Sequence, residues 1–183
     1  MDASTFTRRV ARLAATALSV AALAAPAQAQ GPGPTVLVVR GNVENALTLS
    51  IDDLKKLPVQ RIDDVRVVRA AGSQSTTPEA TRHYTGCLLR DVLEQARPVE
   101  RNRLDLRKSV VIVGASDGYR AVFSWAELYL SPTGDGALVV YERDGKPLPA
   151  DEGPLALVSL KDTRPGPRHV KWLQSVELRM LEP

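Results

Sequence analysis

The chain has 183 residues, a formal net charge of +3, two histidines and one cysteine. One cysteine excludes an internal disulfide, and one Cys with two scattered His gives no zinc-ligand spacing. The length supports one domain with a core of its own.

Arg8, Arg9 and Arg12 precede an apolar run from Leu13 to Ala25, and Ala27-Gln28-Ala29 supplies a small-x-small cleavage site. That order predicts a secretory signal peptide over 1–29, and the run is too short to span a bilayer. "TRRVAR" partly matches a twin-arginine signal, so both export routes stay open. The expected location is the periplasm. Removing the signal takes away three arginines and Asp2, which lowers the formal charge from +3 to +1. So weak a charge gives no argument for nucleic acid.

Residues 30–34, "QGPGP", read as a flexible leader, and 35–183 as a single domain. "TVLVVRG" predicts a strand. In "LSIDDLKKL", Ser50 as N-cap with Asp53 three residues on opens a short helix that Pro58 closes. "DVRVVRA" alternates as a strand ending near Arg69. "AGSQSTTPEATRH" has no apolar period and reads as a loop. "CLLRDVLEQA" puts Leu88, Leu89, Val92, Leu93 and Ala96 on one helical stripe, with Cys87 opening that helix. "SVVIVGA" and "YRAVFS" are strands around the turn "SDG", and Ser124 with Glu127 forms a second capping box. "ALVVYERDGKPL" is a strand followed by a turn at Asp144-Gly145. "PLALVSL" and "VKWLQSVELRM" are further strands. The sum is an α+β fold: a strand-rich mixed sheet with three short helices.

Little of the chain carries chemistry. Cys87 precedes Leu88-Leu89, and free cysteines are among the most buried residues, so packing outweighs a reactive thiolate. Asp52-Asp53 and Asp63-Asp64 are adjacent pairs, which on a strand point to opposite faces and suit a solvated surface. Asp117 in "SDGY" reads as a turn residue. The linker "KDTRPGPRHVKW" differs: Lys161, Arg164, Arg168, His169 and Lys171 lie close together between two strands expected to be buried. Pro165 and Pro167 stiffen it. Such a loop suits an anionic or planar heterocyclic ligand, and it equally suits a solvated basic surface.

"YTGCLLRDVLEQA", "VVIVGASDGYRAVFSWAEL", "YERDGKPLPADEGPLALV" and "RHVKWLQSVEL" resemble, in order and spacing, the molybdopterin-binding domain of the sulfite oxidase family. The usual family forms are T-G-x-x-L-R-D-L-L, V-x-G-x-D-G-Y, N-G-x-P-L-P…G-P-L-R-L-V and R-S-V-K-W-L. The resemblance covers Thr85 to Leu178 and implies that family's fold. It also implies a molybdenum-binding cysteine in a C-x-G-N loop, but the corresponding stretch here is "RAAGS". Ala70 falls on the cysteine, Gly72 on the glycine and Ser73 on the asparagine, so molybdenum is not expected. Cys87 takes a position the family usually fills with an aliphatic residue.

On the R-S-V-K-W segment, the resemblance assigns cofactor-holding roles to Arg168 and Lys171, with His169 in place of the serine. Arg164 and Tyr119 are added as weaker candidates for the same pocket. Short exported relatives without the metal cysteine include the PruR-type periplasmic pterin-binding regulators, to which the likeness is looser. They imply a reduced pterin as ligand and a membrane-bound signalling enzyme or sensor as partner. The leading expectation is a non-catalytic exported protein that binds a pterin or similar small anion. Two alternatives remain: a molybdopterin-dependent oxidoreductase or its accessory subunit, and a ligand-free interaction module.

Overall fold

The computed structural model describes residues 35–64, 67–69, 76–78, 81–102, 104–163 and 166–181. In chain order its elements are β1 (Val36–Gly41), β2 (Leu47–Ser50), α1 (Ile51–Leu54), β3 (Val59–Asp64), β4 (Val67–Arg69), β5 (Thr76–Pro78), β6 (Arg82–Leu88) and α2 (Leu89–Gln95). They continue as β7 (Ser109–Ala115), β8 (Arg120–Ser124), α3 (Trp125–Tyr129), β9 (Ala137–Arg143), β10 (Lys146–Pro147), β11 (Ala156–Ser159) and β12 (Leu173–Met180).

The strands form two layers. The first sheet runs β2-β1-β12-β7-β8 and is mixed, because β1 and β12 pair in parallel while the other pairs are antiparallel. The second runs β3-β6-β9, with β10 and β11 both pairing on the far side of β9. Period-2 alternation in the first sheet sends Leu37, Val39, Val111, Val113, Phe123, Val176 and Leu178 to one buried face. They meet Cys87, Val139 and Leu157 of the second sheet and the stripe Leu89, Val92, Leu93 and Ala96 at α2 in one core cluster. Full burial of each such Leu or Val contributes roughly 1.5–3 kcal/mol.

The opposite face of the second sheet is apolar as well: Tyr84, Leu88, Leu138, Val140, Ala156 and Val158 form a second cluster. A sheet buried on both faces loses its polar–apolar alternation. That is why β6, "RHYTGCL", does not read as a strand. Tyr84 belongs to one cluster and Cys87 to the other. The strand runs straight into α2 through Leu88, an extended N-cap without a side-chain cap bond. Cys87 therefore lies in β6, and the expectation that it opens the helix is corrected.

Gly86 allows β6 to bulge against β9, since a Cβ there would stand 2.2 Å from the Val139 carbonyl oxygen. β3 does not read as a strand either, because its edge position leaves the charges of Arg61 and Asp63 in solvent. β2 escaped because its four residues abut the α1 cap. Of "DVRVVRA", 67–69 form β4, paired with a strand at 76–78 inside the stretch read as loop. Both capping boxes are present: Ser50 with Asp53 and Ser124 with Glu127 bond reciprocally.

Candidate functional site

The linker between β11 and β12 is anchored at several of its described residues. Val170 and Leu157 exchange backbone hydrogen bonds of 2.8 and 2.9 Å, which fixes the middle of the linker to β11. Two residues on, Trp172 adopts a left-handed φ of 47°. Its N–H donates to the Glu152 carbonyl (2.8 Å), its carbonyl accepts from Ser116 N–H (3.0 Å), and its indole N–H donates to Ala150 O (3.2 Å). Gly153, at φ 84°, leaves room for the indole, because a Cβ there would sit 2.5 Å from Trp172 Cδ1. The described part of the linker is thus held by backbone pairing and one aromatic lock.

Arg168 is only partly exposed, and its guanidinium is committed. Nε donates to Asp162 Oδ2 at 2.8 Å, Nη2 donates to Asp162 Oδ1, and Nη1 donates to Glu127 Oε1 at 3.0 Å. The guanidinium carbon also lies 4.4 Å from the centre of the Phe123 ring. Three of its five N–H groups are used this way. The hydrogen bonds to Asp162 lead in holding the Arg168 pKa above its ordinary value. Partial burial acts to raise the Glu127 carboxyl. The bonds from Ser124 N–H and Arg168 outweigh it and hold the group below its usual range.

The remaining expected site residues fall on both sides of this node. Tyr119 is exposed at the β7–β8 turn, and its hydroxyl donates to Pro167 O at 2.5 Å, so the turn and the linker do meet. Lys171 sits 3.2 Å from Asp151, whose carboxyl it holds below the usual range. His169 points its Nε2 to within 4.0 Å of Glu152 Oε2 and meets Tyr84 edge-on. Arg164, Ala70, Gly72 and Ser73 lie outside the described residues.

Sequence reasoning missed the centre of this region. Glu152 is 1% exposed and faces four groups. Arg143 Nη1 lies 2.5 Å and Arg82 Nη1 3.9 Å from Oε1, and the Tyr84 hydroxyl lies 3.4 Å from Oε2, beside His169. In "PADEGP" nothing distinguishes this buried acid from its solvated neighbour Asp151, so no one-dimensional signal could have found it.

Residues 30–182 match the family described as oxidoreductase molybdopterin binding domain. The chain belongs to that family. Among solved structures it is similar to the sulfane dehydrogenase SoxCD of Paracoccus pantotrophus, with a TM-score of 0.59 at 20% identity. The match covers 79% of this chain and 38% of that protein, and at this identity it shows the fold alone. A search of curated proteins returned no match. The family and the neighbour bear out the expected α+β, sulfite oxidase-type architecture.

The family implies a molybdopterin, and this chain's residues do not fit its cysteine-bound metal. Its single thiol, Cys87, is fully enclosed between the two sheets, and burial pushes its pKa up to about 12. Reaching a metal from there would require opening the core. Among the described residues, no group of three His, Cys, Asp or Glu is arranged to hold a metal ion. Nor is any described helix long and apolar enough to cross a membrane.

Proposed function

We propose that this is an exported, non-catalytic member of the family that holds a pterin or a related small anion at the β11–β12 linker. It passes that binding state to a membrane-bound partner. The observation that carries the reading is the enclosure of Cys87, which leaves the chain without a thiolate for molybdenum, a metal that favours soft sulfur ligands. The fixed linker supports a binding role, because a preorganised loop loses less entropy when a ligand docks. Arg168, Lys171, His169 and Tyr119 are the residues proposed to border the ligand, and Arg164, outside the described residues, is proposed as a further contact.

The test has two arms. Protein purified from its own periplasm is assayed for molybdenum, where about one atom per chain would overturn the non-catalytic reading. Calorimetry with a panel of reduced pterins follows, on wild type and Lys171→Ala. The expected result is saturable binding, weakened severalfold in the variant.

A second reading, a ligand-free interaction module, is favoured by one observation. Arg168 and Lys171 already have carboxylate partners within the chain. It takes over if no pterin in the panel binds wild type.

A further inference from the structure

The first sheet has a second face, turned away from the core, and its strand register fixes which residues share it. Across β1, β12, β7 and β8 one row runs Val38, Ser175, Gly114 and Arg120, and the next runs Arg40, Glu177, Ile112 and Val122. Beyond them, Arg179 pairs with Val110. Antiparallel sheets that face water on one side alternate apolar-in with polar-out. Here Val38, Val110, Ile112 and Val122 all take outward positions, and Val122 is 52% exposed. Leu181, two residues past Arg179, is equally exposed.

The charge on this face is one-sided. Arg40 Nη2 lies 3.2 Å from Glu177 Oε2 and Arg179 Nη2 lies 2.5 Å from Glu177 Oε1, so one carboxylate answers two guanidiniums. Arg120 has no ion-pair partner among the described residues. It lies across Gly114: a Cβ on that glycine would stand 3.3 Å from Arg120 Nη1 and 2.7 Å from Ser175 Oγ. The three arginines thus meet a single acid, with apolar β-branched side chains between them. Arg120 is level with Gly114 and Arg179 with Val110, which sets them about 13 Å apart along the strands. No small anion reaches both.

We propose that this face docks on an anionic lipid bilayer, with its arginines at the phosphate level and Val122 and Leu181 at the acyl boundary. A bilayer supplies phosphates at every spacing and an apolar layer beneath them, so it satisfies arginines that stand too far apart to share one anion. Charge argues against a second copy of the chain, because stacking the face on itself would set an excess of arginines against arginines. The face shares no residue with the set proposed to border the linker ligand, and the inference does not depend on that ligand.

The test is co-sedimentation of the full chain with vesicles of phosphatidylglycerol and phosphatidylcholine in equal parts, and with vesicles of phosphatidylcholine alone. Saturable binding is expected to the mixed vesicles, roughly tenfold weaker binding to the neutral ones, and a steep loss as salt is raised. Arg120→Gln/Arg179→Gln should weaken binding roughly tenfold or more, and Val122→Thr/Leu181→Ser severalfold. All of these positions are exposed, and circular dichroism verifies folding. Lys161→Gln/Lys171→Gln, which strips cations from the linker, should change vesicle binding far less. The proposal is overturned by no saturable binding to the mixed vesicles, by equal binding to the neutral ones, or by unchanged binding in either face variant. It is also overturned if the linker variant loses more affinity than Arg120→Gln/Arg179→Gln. Dimerisation of wild type without lipid, lost in Val122→Thr/Leu181→Ser, would give the face to a second copy and overturn it as well.

Discussion

Replacing Arg168 with alanine removes a two-pronged pair with Asp162, a hydrogen bond to Glu127 and a cation stacked on Phe123. Asp162 and Arg168 are 14% and 20% exposed, so solvent replaces the lost partner only in part. Leaving Asp162 unpaired should cost about 2 kcal/mol, and losing the stack about 1 kcal/mol. Glu127 adds little, because its side chain is 40% exposed and its carboxylate keeps the bonds donated by Ser124 N–H and Oγ. The expected total is roughly 3 kcal/mol, or a fall in Tm of about 6–12 °C for a domain of this size. Urea unfolding followed by circular dichroism measures the loss. A double-mutant cycle with Asp162→Asn should return a coupling of about 1.5–2.5 kcal/mol. If Arg168→Ala stays within about 0.5 kcal/mol of wild type, the guanidinium is not holding the linker and the structural argument fails. If stability is kept while pterin binding is lost, Arg168 serves the ligand alone.

Three further outcomes are expected. Cys87 should resist a thiol reagent in the native protein and react stoichiometrically once unfolded, and Cys87→Val should cost less than about 1.5 kcal/mol; rapid native labelling would contradict its enclosure. Gly86→Ala should destabilise by about 2 kcal/mol or more, since its methyl group would collide with the β9 backbone at Val139, and a neutral effect in urea unfolding would mean that the β6–β9 bulge is not as tight as described. His83 has its pKa raised above the ordinary value by its hydrogen bond to Asp63 and then by that residue's charge. Because the folded value exceeds the unfolded one, the pair's contribution is complete below about pH 6.5 and disappears as pH rises through the folded pKa. An NMR titration of His83 should show a midpoint above about 6.5 that moves back in Asp63→Asn, and a wild-type midpoint at or below that value would refute the pairing.

Local chemistry was legible in the sequence wherever it is decided by near neighbours. The capping boxes at Ser50 and Ser124 depend on a side chain meeting a backbone three residues on, so they can be read directly. The strands "TVLVVRG" and "SVVIVGA" of the first sheet are compact β-branched runs, which favour extended backbone wherever they pack, so they too are readable. So is the family, because its motifs are short runs in a fixed order. Tertiary structure decided what depends on partners remote in the chain. β6 faces apolar clusters on both sides, which erases its period, and only the two-layer packing shows Cys87 to be an interior strand residue. Whether the cations of "KDTRPGPRHVK" await a ligand also depended on remote partners. Arg168 finds Glu127 on α3, Lys171 finds Asp151, and Glu152 draws Arg82 and Arg143 together from β6 and β9. A charge's availability depends on which opposite charges the fold brings within about 4 Å of it, where Coulomb attraction begins to compete with hydration.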